Sequence, residues 1–208
     1  MMRFCCTFLF GLISAWLIAA TPAIGQQNQP EDSTGRTNNQ LTTASRHMVA
    51  AAHPDAVAAG LEMLRRGGGA ADAAIAVQLV LNLVEPQSSG IGGGAFLLFY
   101  DAEKNETVAF DGRETAPIAA TPDLFLTADG TPVKFGAAIV GGRSVGTPGT
   151  VALLARVFQE HGKLTWPELF APAIRLAQEG FIVGPRLAMM LASDRGQRLR
   201  TFATARDY

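Results

Sequence analysis

Beyond residue 6 the chain has no cysteine, since Cys5 and Cys6 are its only two. Both lie in a stretch with the marks of a removable leader, so the exported chain would carry no thiol. Disulfides, cysteine nucleophiles and Cys-ligated zinc are thereby excluded. Histidine is nearly as scarce. His47, His53 and His161 are the three present, and none forms the close pair that a metal-binding helix needs, so each reads as a surface or capping residue. Excess charge of either sign is missing too. A net charge of −1 offers no field for nucleic acid. Arg186, Arg195, Arg198, Arg200 and Arg206 gather late in the chain, but hardly any aromatic residues lie among them. They read as a solvated helix face. Ser88-Ser89 does not stand in a Gly-x-Ser-x-Gly frame and Gly-Lys-[Ser/Thr] does not occur, which removes the nucleophile-elbow reading of that serine pair and the P-loop reading.

What is present begins with Arg3, an apolar core from Phe8 to Ala20, and small residues in Ala23-Ile24-Gly25. That is the layout of a signal peptide covering residues 1–25, and the apolar run is too short to span a bilayer comfortably. The expected location is therefore outside the cytoplasm, periplasmic or extracellular. Gln26 to Gln40 is polar and lacks an apolar period, so residues 26–43 are expected to be a flexible tether. Folded structure is expected over residues 44–208.

His53-Pro54-Asp55 opens a predicted helix with Val57, Leu61 and Leu64 at helical spacing, stopped by Gly67-Gly68. Ala70 to Val84 predicts a second helix, apolar on most sides and hence buried. Glu85-Pro86-Gln87-Ser88-Ser89 and Gly90-Ile91-Gly92-Gly93-Gly94 then lead into the apolar run Ala95–Tyr100. A polar turn and Thr107–Phe110 follow. Strand, turn, strand predicts a β-hairpin, with the first strand expected to be buried on both faces. Thr115 to Val145 predicts loop with short extended pieces. Helices are expected from about Val151 to His161, from a Thr165 cap to Gly180, and from Gly184-Pro185 to about Ser193. Two helices, a glycine turn and a buried hairpin predict a layered α+β core.

The glycine cluster follows a helix and opens a strand, the inverse of a dinucleotide-binding turn. It reads either as an anion-accepting nest or as a tight passage between helix and strand. Ser88-Ser89 lacks an activating base, and Thr42-Thr43 precedes coil with no sign of cleavage. Asn105-Glu106-Thr107 is a glycosylation sequon on the hairpin turn. Arg113 is the strongest single candidate. Where a buried strand ends, its guanidinium can offer a fork of donors to a planar carboxylate. It can equally pair internally with Glu114, Asp111 or an acid elsewhere.

Several blocks resemble the large subunit of gamma-glutamyltransferases. They are Met48–Pro54, Ala56–Asp72, Glu85–Gly94, Asp111-Gly112-Arg113-Glu114-Thr115-Ala116-Pro117, Gly146–Val151 and Gly180–Val183. They occur in order across nearly all of Met48–Tyr208. Gly69 departs from the family pattern, which usually has Asn there. The resemblance implies an N-terminal-nucleophile hydrolase fold, a four-layer αββα sandwich of which this chain would hold an incomplete part. It implies a precursor that cuts itself into large and small subunits, exposing a threonine that attacks γ-glutamyl amides. The implied partners are glutathione and other γ-glutamyl donors, with acceptor amino acids, peptides or water, together with the C-terminal part of the large subunit and the small subunit. No cofactor or metal is implied. Arg113 matches the family's arginine for the donor α-carboxylate. The family's Thr-Thr-His stretch does not occur in this sequence, so no catalytic nucleophile is assigned within it, and the chain alone is expected to be inactive. The alternatives are a related exported acylase acting on glutaryl side chains of β-lactam compounds, or a non-catalytic secreted binding domain.

Overall fold

The fold is organised by one alanine-rich helix, α2 (Ala70–Val84), which touches three other helices. The coordinates are a computed structural model that describes residues 41–206, and contacts set Thr43–Tyr208 apart as a unit of its own. The expected leader and most of the tether lie outside the described residues.

Helix α1 (Pro54–Arg65) starts as its sequence predicts. Pro54 occupies the first turn and His53 caps it, Nδ1 accepting from the Asp55 N–H at 3.2 Å. Gly67, at φ +93°, ends it with a backbone conformation that a side chain would strain. The chain then doubles back into α2, which buries Ala71, Ala73, Ile75, Ala76, Leu79, Val80 and Val84. Small residues bring α1 and α2 close together. A Cβ at Gly60 would sit 2.8 Å from a Val77 methyl. The helical layer is completed by α4 (Thr150–His161), burying Leu153, Leu154 and Val157, and by α5 (Trp166–Glu179), burying Leu169. At the start of α5 the Glu168 carboxylate accepts from both the N–H and the hydroxyl of Thr165, the reciprocal cap expected of a Thr-x-x-Glu start.

Strands β1 (Ala95–Asp101) and β2 (Glu106–Gly112) form the expected antiparallel hairpin, in register from Ala95 opposite Gly112 to Asp101 opposite Glu106. Ala95, Leu97, Phe99 and Phe110 pack against the helices. The other face does not match the expectation of a strand buried on both sides. Phe96, Leu98 and Tyr100 are 69%, 75% and 59% exposed. A strand's side chains alternate, so one helical layer can cover only one of its faces. The described residues supply that layer and no second one.

Residues 115–145 are mostly irregular with short extended pieces, as expected, among them an antiparallel bridge of Leu126 with Pro132, and are also punctuated by helical turns. These are 3-10 turns at Pro122–Phe125 and Gly142–Ser144 and the single-turn helix α3 (Phe135–Ala138). Helix α6 (Pro185–Ala192) begins at Gly184-Pro185 as predicted, and two short helices follow, α7 (Asp194–Leu199) and α8 (Ala203–Arg206). No helix among the described residues is long and apolar enough to cross a membrane.

Two buried carboxylates tie distant segments together. Asp72, in the first turn of α2, is fully buried. Its oxygens accept from the Gly69 N–H at 2.7 Å, from the Lys163 N–H at 3.1 Å and from the Leu164 N–H at 3.3 Å. It therefore caps its own helix and grips the α4–α5 connection. Glu85, at the end of α2, accepts from Arg186 Nη1 at 2.8 Å and from Gln87 Nε2 at 2.7 Å. Arg186 Nη2 also donates to Ser88 Oγ. Arg186 accordingly leaves the expected solvated face. Its planar fork binds a buried acid and a turn hydroxyl at once.

His161 corrects a second expectation. It is not a surface histidine. Its ring stacks on Phe99 with centroids 3.9 Å apart and meets the edge of Phe110. Its Nε2 is buried 3.8 Å from Glu160, too far for a hydrogen bond. An imidazole presents a flat ring face, and His161 packs here as an aromatic ring.

Candidate functional site

The candidate site forms where β2 leaves the sheet, and glycine determines its shape. Gly112 pairs with Ala95 at the mouth of the hairpin. A Cβ there would press on the Leu153 side chain of α4. The chain next turns away from the sheet, with Asp111 Oδ1 accepting from the Arg113 N–H at 2.9 Å. Thr115 then bridges back to Thr147, each backbone N–H donating to the other's carbonyl. The Gly146–Thr150 turn is thus fastened beside the start of β1. The Gly93 carbonyl strengthens the junction by accepting from the N–H groups of Gly149 and Thr150.

Arg113 stands at this junction with 65% of its side chain exposed, and its Nη1 donates to Glu114 Oε2 at 2.6 Å. Both readings of Arg113 therefore have a physical basis. It makes an internal pair, yet most of its guanidinium faces outward and keeps donors for another acceptor. Glu114 is the less exposed partner, and the glycine cluster explains where it sits. A Cβ at Gly94 would lie 2.5 Å from Glu114 Oε2, one at Gly93 would lie 3.3 Å from Oε1, and one at Gly146 would lie 3.0 Å from Glu114 Cβ. The bare backbone at these positions seats the Glu114 carboxylate, which in turn holds Arg113. Close approach is what the Gly93-Gly94 pair provides, and the anion against it is the protein's own.

Beside this junction lies a groove of about 290 Å³ between the end of β2 and the start of α4, with Arg113, Thr115 and Thr147 on its wall. The other residues singled out in the sequence lie elsewhere. Ser88 engages Arg186. Asn105 is at the hairpin tip with φ +54°, its side-chain oxygen accepting from the Tyr100 hydroxyl at 2.9 Å. His53 caps α1 and His161 sits against the aromatic core, so neither reaches Arg113 as a base. Glu114 was missed as a site residue in its own right, having been considered only as a partner for Arg113. The available signal was three glycines flanking it in space, and that is invisible without the fold. Asp72 was missed as well, although an acid three residues after Gly69 at a helix start is a readable capping signature.

Comparisons with known proteins bear on the family and the fold. Residues 56–208 match the family model described as gamma-glutamyltranspeptidase. Over 196 residues the chain is 37% identical to the glutathione hydrolase proenzyme of Bacillus subtilis, covering 94% of this chain and 33% of that protein. Among solved structures, Helicobacter pylori gamma-glutamyltranspeptidase superposes with a TM-score of 0.75 at 32% identity, covering 81% of this chain and 48% of that one. A cephalosporin acylase from Bacillus halodurans superposes with a TM-score of 0.67 at 30% identity, covering 85% and 32% respectively. The chain spans between about a fifth and a third of the length of the curated relatives that it matches. The helical layer and its sheet are thus a portion of the N-terminal-nucleophile hydrolase sandwich, and the chain belongs to the gamma-glutamyltranspeptidase family.

Proposed function

We propose that this chain is the N-terminal portion of the large subunit of an exported γ-glutamyl acyltransferase or hydrolase, and that Arg113 binds the α-carboxylate of the γ-glutamyl donor. The observation that carries this reading is the outward-facing Arg113, braced by Glu114, at the exit of the hairpin in a family-matched segment. A guanidinium fork so held meets a carboxylate with two parallel charge-assisted bonds. The donors are glutathione and related γ-glutamyl compounds, and the acyl group passes to an amino acid, a peptide or water. The attacking hydroxyl belongs to a threonine of the complete precursor, freed by self-cleavage so that its own amine is the base. Arg113 contributes binding and orientation of the donor. No metal or cofactor enters the reaction.

The test is release of p-nitroaniline from γ-glutamyl-p-nitroanilide. The product of the complete gene should catalyse it, whereas purified residues 26–208 should not. The isolated segment should also melt without a sharp transition. Phe96, Leu98 and Tyr100 lie bare in it, and burying each large apolar side chain is worth roughly 1.5–3 kcal/mol against a net stability of only about 5–15. Turnover or a cooperative melt by the segment alone would sink this part of the reading.

The likeness to the cephalosporin acylase supports a second reading, action on glutaryl amides. Glutaryl and γ-glutamyl groups share the distal carboxylate that suits Arg113 and differ in the α-ammonium. Competition between the two anilides therefore decides. A complete enzyme that prefers the glutaryl anilide is an acylase of that second kind.

Export is expected to be accompanied by removal of the leader. Arg3, the Phe8–Ala20 core and Ala23-Ile24-Gly25 place cleavage after Gly25. N-terminal sequencing of the exported product should begin at Gln26, and a retained Met1 would overturn the assignment.

A further inference from the structure

The groove beside Arg113 is lined by a second guanidinium that the γ-glutamyl reading leaves unused. Ala152, Leu153 and Arg156 line it from α4, and positions three and four apart share one helix face. Leu153 is buried and forms part of the floor, while Arg156 lies one turn further along at the rim, 68% exposed. Its Nε donates to Glu160, one turn on along the same helix, an exposed pair of the kind that is readily given up to a better acceptor. Asp111 is the one acid on the groove wall, and its Oδ1 already accepts from the Arg113 N–H. The lining carries two arginines and one carboxylate, and the acids that pair with the arginines, Glu114 and Glu160, stand beside it and not on its wall. At about 290 Å³, the groove lies at the small end of the range for ligand sites and suits something the size of a short peptide.

We propose that Arg156 binds a second carboxylate of the same donor, the one at the C-terminus of the departing peptide, while Arg113 holds the α-carboxylate of the γ-glutamyl group. The inference rests on the γ-glutamyl reading and names the donor class within it. γ-Glutamyl peptides such as glutathione carry a carboxylate at each end. γ-Glutamyl amides and anilides carry only one. A groove with two guanidiniums distinguishes the first class from the second.

The experiment uses the mature enzyme from the complete precursor and measures kcat/KM for glutathione and for γ-glutamyl-p-nitroanilide. In Arg156→Ala the ratio of glutathione to anilide should fall about fivefold to tenfold, mostly through the KM for glutathione, as loss of one exposed charge-assisted contact predicts. Arg156→Lys should restore part of that ratio. Glu160→Gln frees Arg156 from its helix partner and should raise the ratio, a change that a merely structural Arg156 would not produce. A ratio unchanged within twofold in Arg156→Ala overturns the proposal, and so does equal loss on both substrates. If Arg156→Ala fails to fold, Glu160→Gln decides: an unchanged or lowered ratio refutes the subsite. Failure of the underlying reading looks different, because the unmodified enzyme would then turn over neither donor.

Discussion

Arg113→Ala in the complete enzyme is expected to lower kcat/KM for γ-glutamyl donors by between one and almost four decades while self-cleavage of the precursor continues. Arg113 is exposed in the described residues; where the bound donor and the rest of the sandwich desolvate its pair with the donor, removing one partner typically costs about 2–5 kcal/mol, and the donor's carboxylate would be left without its fork. Arg113→Lys should also be impaired, because an ammonium offers a point charge where the guanidinium offers two parallel donors. A donor that lacks the α-carboxylate should be poor already and lose little more on mutation. Gly94→Ala supplies an independent route to the same defect. The new methyl group would lie 2.5 Å from Glu114 Oε2 and 2.7 Å from the Glu114 backbone nitrogen. It must therefore displace the carboxylate that holds Arg113 and also shift the backbone at Glu114 and Gly112. Its kinetics should resemble a milder Arg113→Ala, with KM rising more than kcat falls. Normal kinetics in Arg113→Lys would show that the pair with Glu114 is the whole purpose of Arg113.

The second large effect is expected at Asp72, which does not line the candidate groove. Asp72→Ala removes an acceptor shared by the Gly69, Lys163 and Leu164 N–H groups at a fully buried position. Each orphaned donor costs about 1–3 kcal/mol, more where the lost acceptor was charged, and the costs overlap. A loss of about 3–5 kcal/mol is therefore expected, a large share of the stability of an ordinary domain. Asp72→Asn keeps one carbonyl acceptor and should lose roughly half as much. Chemical denaturation of the complete protein measures both, and an Asp72→Ala midpoint indistinguishable from the parent would show that water replaces the carboxylate freely.

The helices and the hairpin were legible because their signals are local. His53-Pro54-Asp55, Thr165-Trp166-Pro167 and Gly184-Pro185 each announce a helix start within three residues, and the structure begins α1, α5 and α6 there. Arg113 was legible as the residue at the strand exit. The features that failed to show are those with partners far along the chain. Nothing near Arg186 tells that its fork reaches Glu85, and nothing near His161 tells that Phe99 lies flat against it. Ala95–Tyr100 misled for another reason. An unbroken apolar run has no period-2 alternation to mark which face a neighbouring layer covers, so the exposure of Phe96, Leu98 and Tyr100 had no signature to read.

The polar grips of Asp72 and Glu85 also govern how this chain tolerates changes in length. The Asp72 oxygens meet N–H groups 91 and 92 residues further on, and Glu85 meets Arg186 at a separation of 101. Everything between, the hairpin and residues 115–145 included, is a loop closed by these contacts. The entropy of closing a flexible loop grows only with the logarithm of its length, so even doubling it costs about 0.6 kcal/mol. Insertions and deletions in the irregular stretch between Pro117 and Gly142 are therefore thermodynamically cheap. A one-residue slip between Gly69 and Asp72, or between Lys163 and Leu164, would rotate a donor away from the carboxylate and forfeit the closure itself. The irregular stretch can therefore change length at little cost while the two clasps stay in register.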